Sequence, residues 1–202
     1  MGNHTNCWEL LAKAAKQIKP TDFAEYFELK RLVRSRDPKI RKDFQRRFAN
    51  YYRLHVGGLT AAFKRRYLTL LVGHKSRGKK DPYTPLLLEL YRFRRRKGDR
   101  VIHASFVSKL VAMHDESRPL FDKFVSRFFG LTVPSVGSVE FRIAGFVSNL
   151  ERIGDTYKSW AKDRRFCRIV KTLFRKHPQL KTCHPSRVCD FLVWKVGDAG
   201  IK

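Results

Sequence analysis

Apolar residues recur at intervals of three and four along nearly the whole chain, and that period admits helices and little else. In residues 6–18 Trp8, Leu11 and Ala15 hold the spacing among good helix formers, and Pro20 ends the segment. Thr21 offers an N-cap to the next stretch, which carries Phe23, Tyr26, Phe27 and Leu32. Asp37-Pro38 predicts a third helix start, with the aspartate as cap and the proline in the first turn. That helix is expected to run through Phe44, Phe48, Tyr51 and Tyr52 to Leu54 and to break at Gly57-Gly58. A fourth follows with Leu59, Phe63, Tyr67 and Leu70 as its stripe. Residues 73–82 form a basic connector, and residues 84–98 predict a helix whose arginine-rich last turn closes at Gly98. Further helices are expected over 103–115, 117–130, 137–163, 164–176 and 186–196, with His177-Pro178 and His184-Pro185 as breaks. Strand signals are few: residues 101–107 have β-branched character but run into an apolar helical segment. The expected fold is all-α, a single helical domain over 1–202 built of one or two lobes.

A chain of this length buries roughly 70% of its unfolded surface and needs no disulfide or metal staple. Its 16 Phe, 7 Tyr and 3 Trp suffice to fill a core, which excludes collagen-like, low-complexity and wholly disordered classes. No apolar run approaches the roughly 20 residues of a bilayer span. Cys7, Cys167, Cys183 and Cys189 are scattered without a CxxC pair, so reduced thiols are expected rather than a zinc or iron–sulfur site. Asp155, Asp163 and Asp190 show no metal-ligand spacing. The start MGNHTNCWELL lacks a basic n-region and a long apolar core, and Asn6 stands where myristoylation requires Ser or Thr. A cytoplasmic, monomeric protein without membrane attachment is the expectation.

Charge says most about partners. Lys and Arg total 44 against 18 Asp and Glu, a formal net charge of +26. A folded body with that much like charge repels itself and gains when a polyanion neutralises it. Nucleic acid fits, because each neutralised phosphate releases counterions. The basic residues are spread over many helices, so no separate tail accounts for the charge.

Residues 103–129 carry the most chemistry. Phe106, Leu110 and Met113 share one helical stripe, widened by Val107 and Val111, and Lys109 falls at its edge. A turn and Pro119 follow, and Asp122 stands where a helix cap is expected. On spacing alone both have ordinary structural roles: a lysine at an apolar edge extends its amine to water, and an aspartate at a helix start caps. The pattern Ser105-Phe106-Val107-Ser108-Lys109 followed by Pro119-Leu120-Phe121-Asp122 resembles the helix-hairpin-helix DNA glycosylase superfamily. More narrowly, it is similar to the 8-oxoguanine glycosylase-like bacterial proteins, with their Ser-Phe-x-Thr-Lys…Pro-Ile-Tyr-Asp signature. The similarity covers about residues 44–196, with a sharp part of under 25 residues. Two features depart from the superfamily. Residues 100–104 lack the usual hairpin glycines, and the interval from Lys109 to Asp122 is shorter than in the well-known 8-oxoguanine enzymes.

The resemblance implies a hairpin-like catalytic segment over 84–130, with Lys109 as nucleophile and Asp122 as electrostatic or general-base partner. It implies release of a damaged or modified base from duplex DNA, with or without strand cleavage through a lysine Schiff base. Oxidised guanine is the implied substrate, and a bulky modified pyrimidine of phage DNA, hence a role in defence, is a second. No metal and no cofactor is implied, and association with the nucleoid is. Burial and the chain's positive field would favour the neutral amine of Lys109. His114, Phe121, Trp160 and Trp194 are candidates to line the site or stack on an extruded base, although each also suits the core. Arg94, Arg95, Arg96, Lys97, Arg100, His103, Ser105, Arg118, Lys123 and Arg127 are candidates to contact DNA. The rival reading is a non-catalytic DNA- or RNA-binding architectural protein.

Overall fold

The computed structural model describes residues 4–56, 58–74, 78 and 80–201. Among these residues the chain is all-α: ten α-helices and two short 3-10 turns, with no strand. It divides into two units, each of them discontinuous in sequence. One comprises residues 24–115 and 133–147, the other residues 1–23, 116–132 and 148–202.

The first unit holds α2 (Ala24–Leu32), α3 (Pro38–Tyr51), α4 (Ala61–Gly73), α5 (Thr84–Tyr91) and α6 (Ala104–His114), and each packs on the next. Asp37 caps α3 as expected, accepting from the amides of Lys39 at 2.7 Å and Ile40 at 3.2 Å. Thr60 caps α4 through the Phe63 amide. The core is aromatic. Phe44, Phe48, Phe63 and Tyr67 are buried, and the rings of Phe63 and Tyr67 stack at 6.0 Å. The Tyr67 hydroxyl donates to the Phe106 carbonyl at 2.8 Å, which ties α4 to α6.

Three boundaries up to residue 98 differ from the sequence expectation. A 3-10 turn over Pro20–Asp22 precedes α2, and the Asp22 carboxylate, not Thr21, caps by accepting from the Lys19 amide. Helix α3 ends at Tyr51, before the glycine pair, because Arg53 takes a left-handed φ of 54° and turns the chain. Gly57 lies outside the described residues. Helix α5 stops at Tyr91 rather than Gly98. Beyond it Arg95 forms a ring of backbone and side-chain bonds with Asp99, and that turn competes with another turn of helix. Of the basic connector, residues 75–77 and 79 lie outside the described residues.

The second unit holds α1 (His4–Gln17), α7 (Lys123–Phe129), the later part of α8 (Val139–Lys162), α9 (Arg164–Lys176) and α10 (Pro185–Asp198). Helix α10 packs on α1 and α7, and α9 packs on α1. Gly197 permits the α7 contact: a Cβ there would lie 2.8 Å from the Phe124 Cβ. Gly130 closes α7 in the left-handed conformation, at φ 61°, as its position after the apolar run predicts. Helix α7 begins at Lys123, six residues later than the spacing suggests, because Pro119 and the Asp122 cap hold residues 117–122 outside it. The four cysteines are free thiols. No helix among the described residues is long and apolar enough to cross a membrane.

Candidate functional site

The segment expected to carry catalysis, 84–130, is shared by the two units. Helices α5 and α6 belong to the first, and residues 116–130 with α7 belong to the second. Lys109 and Asp122 therefore belong to different units, and each has its own setting.

Lys109 projects from the middle of α6 and is half-buried. Its Nζ lies 5.4 Å from the centroid of the Tyr52 ring and 5.7 Å from that of Phe106. Ring faces attract a cation, so both contacts suit an ammonium group. His114 closes the same helix. Its Nε2 sits 2.7 Å from the Leu71 carbonyl, which can only accept, so Nε2 carries the proton. Burial lowers the His114 pKa, and the Leu71 bond partly opposes this. Its ring meets that of His74 edge-on. His114 thus ties α6 to α4.

His103, expected among the DNA contacts, is 6% exposed and lies against the Phe63 ring at 4.1 Å. Burial, with the Arg95 charge, holds its pKa down at about 4, and the imidazole is neutral. His103 thus sits in the aromatic core of the first unit. Ser105 is half-buried in the first turn of α6, and its carbonyl accepts from Ser108 Oγ at 3.1 Å. In the turn after α5, Arg94 donates to the Gly98 carbonyl and Arg95 pairs with Asp99. Arg96, Lys97 and Arg100 are exposed, and the Lys97 charge acts on Asp99.

In the second unit Asp122 caps α7. One carboxylate oxygen accepts from the amides of Phe124 at 2.9 Å and Val125 at 3.0 Å. The segment leading to it is held by a network that sequence reasoning missed. Arg187 and Asp190 of α10 are each 1% exposed and pair at 2.7 Å. The Asp190 carboxylate also accepts from the Tyr157 hydroxyl at 3.0 Å and from the Leu120 amide at 3.2 Å. Arg187 donates on to the Arg118 carbonyl at 3.3 Å. Burial pushes the Asp190 pKa up to about 6; Arg187 opposes the shift and the nearby Asp122 charge adds to it. Two buried charges thus position the stretch 118–120 just ahead of the Asp122 cap.

The aromatic candidates of this unit are packed into its core. Trp160, 8% exposed, touches Trp8, Phe128, Phe129, Tyr157 and Phe166, with ring separations of 5.5–6.0 Å. That environment gives Trp160 the role of a core residue in this unit. Phe121 is likewise buried. Trp194 is half-buried and edge-on to Phe124 at 6.3 Å. Lys123 lies 4.6 Å from the Phe124 ring, and Lys123 and Arg127 are exposed, while Arg118 is half-buried. No group of three or more His, Cys, Asp or Glu side chains gathers as a metal site among the described residues.

No protein-family model, no curated protein and no solved structure matches the chain.

The second feature that sequence reasoning passed over is α9. It carries six Arg or Lys and no acid in 13 residues. Its charge period of four, three and four is readable in the sequence, whereas the burial of Arg187 and Asp190 is not.

Proposed function

We propose that this chain binds duplex DNA and releases a modified base as a glycosylase, with Lys109 in the role of nucleophile and Asp122 in that of the stabilising carboxylate. The observation that carries the reading is the place of Lys109: a half-buried amine on α6, inside the Ser-x-x-x-Lys stretch that resembles the glycosylase motif. The charge of +26 and the exposed cations Arg96, Lys97, Arg100, Lys123 and Arg127 supply the affinity for phosphate. A base must leave the duplex stack before its bond to the sugar can be cut. As that bond breaks, its electron pair departs with the base and positive charge grows on the sugar, which the Asp122 carboxylate stabilises. A deprotonated Lys109 attacks the anomeric carbon and loses a proton; the ring oxygen takes up a proton and leaves that carbon with the C–O electron pair, so that Lys109 remains joined to the opened sugar as a Schiff base. With Lys109 held as an ammonium, water takes the place of the amine and the product is an abasic site. Oxidised guanine is the first substrate class to try and bulky modified pyrimidines are the second, within a cytoplasmic, nucleoid-associated protein.

A second reading, a non-catalytic nucleic-acid-binding protein, is favoured by the cap geometry. Asp122 already serves two amides, which is sufficient employment for a structural aspartate. Duplexes carrying single oxidised, alkylated or bulky modified bases distinguish the two when incubated with the protein and treated with alkali. Cleavage at one class of base is expected. Tight binding with no cleavage of any duplex supports the architectural reading instead.

A further inference from the structure

Helix α9 separates its charges from its apolar residues cleanly. Arg164, Arg168, Lys171 and Arg175 follow one another at intervals of four, three and four. At 100° per residue they fall within about 60° of arc and extend about 16 Å along the axis. All four are exposed, and none has an acidic partner among the described residues. The opposite face carries Phe166 and Leu173, both buried, and the half-buried Ile169 and Val170. Arg165 lies off the stripe and is already engaged, paired with Asp163 at 2.8 Å and set over the Trp8 ring at 4.8 Å.

Arg168 Nε donates to the Arg164 carbonyl at 3.4 Å, a bond that neutralises no charge. Four like charges in a row repel one another, and a folded protein gains nothing from that arrangement alone. A linear array of negative charge removes the repulsion. Nucleic acid supplies such an array, with one phosphate per about 3.4 Å of each strand. An anionic membrane is the other polyanionic surface, but amphipathic helices hold to membranes by inserting their apolar face. The apolar face of α9 is spent on the protein core. We infer that the Arg164–Arg168–Lys171–Arg175 stripe is a phosphate-backbone docking surface for nucleic acid. The inference rests on the nucleic-acid reading above but does not require base release.

The test uses the full chain and an unmodified duplex, with binding measured across a salt series. In one variant Arg164→Gln, Arg168→Gln, Lys171→Gln and Arg175→Gln are combined; glutamine keeps helix propensity close to that of the parent residues. The slope of log affinity against log salt should fall by up to about 3.6, or about 0.9 for each lost phosphate contact. Affinity at a fixed moderate salt should fall more than about tenfold. A control variant removes four exposed charges elsewhere: Arg34→Gln, Arg36→Gln, Lys39→Gln and Lys42→Gln. An equal loss in both variants means that total charge alone matters, and overturns the inference. So does an unchanged slope in the α9 variant, or tighter binding of the wild-type chain to phosphatidylserine vesicles than to the duplex. Should the fourfold variant fail to fold, Arg168→Gln with Lys171→Gln should lower the slope by about 1.8. Failure of the wild-type protein to release any base bears on the glycosylase reading and leaves this measurement intact.

Discussion

His103 in one unit and Asp190 in the other are both buried, and both are shifted chiefly by the loss of water, yet they respond to acid in opposite directions. Burial penalises whichever form carries charge. For His103 that is the acid form, so its folded pKa drops to about 4 from a usual value near 6.5. For Asp190 it is the basic form, so its folded pKa rises to about 6 from a usual value near 3.9. The protein keeps one group neutral by surrounding it with Phe63 and Phe106, and supports the other with Arg187, Tyr157 and the Leu120 amide. The first arrangement is an ordinary aromatic core that happens to hold an imidazole. The second holds charge in place and fixes a loop that leads to a candidate catalytic residue.

The contrast is broken most sharply by separating the buried ion pair. Arg187→Ala leaves Asp190 uncompensated and should cost about 3–5 kcal/mol, read by urea denaturation. Arg187→Met combined with Asp190→Leu should recover most of that loss. A cost below about 1 kcal/mol for the single change would contradict a charged, paired Asp190. Trp160→Ala should cost a similar amount, about 3–5 kcal/mol, as a large core deletion. Its effect belongs in the denaturation midpoint; a loss confined to DNA affinity would return Trp160 to the role of base platform.

His103 binds its proton more readily unfolded than folded, so the stability it contributes is full above pH 6.5 and is lost as pH falls towards 4. Relative to His103→Leu, the wild-type chain should lose about 3 kcal/mol between pH 7 and pH 4. Asp190 binds its proton more readily folded, so its contribution runs the other way: present at low pH and lost as pH rises towards 6. Paired denaturation series on His103→Leu and on the Arg187→Met, Asp190→Leu double variant should therefore diverge from wild type with opposite signs. The smallest effect concerns the α7 cap. Asp122→Ala should cost about 1 kcal/mol, whereas Asp122→Asn, an equally good cap, should cost a few tenths. That pair of variants separates capping from chemistry.

The all-α fold was legible in the sequence because the apolar period is kept from Trp8 to Val196, and Asp37-Pro38 and Gly130 punctuate it with standard cap chemistry. The end of α5 was not, because a run of arginines reads as a favourable helix terminus while Asp99, four residues past Arg95, supplies a competing turn. The division into two units was illegible for a different reason. Each unit is assembled from separated stretches of chain, and no local change in composition marks residues 23, 115, 132 or 147. Among the site residues, the Asp122 cap followed from its position, and the aromatic neighbours of Lys109 followed in part. Tyr52 was visible as a residue of α3's sequence stretch, but its approach to Lys109 depends on tertiary packing. Arg187 and Asp190 carried an i, i+3 spacing that reads equally well as a solvent-exposed salt bridge, and only burial distinguishes the two.

Under the proposed glycosylase function Lys109 acts on a flipped nucleotide rather than merely resting on two rings. The most direct measurement is the rate of base release by Lys109→Gln on whichever modified duplex the wild-type chain cleaves, alongside the affinity of both proteins for that duplex. A fall in rate of at least about 100-fold is expected, the scale of a lost nucleophile or proton-transfer group, with affinity changed less than about threefold. Equal rates for the two proteins, or a loss of affinity that accounts for the whole loss of rate, would contradict that role.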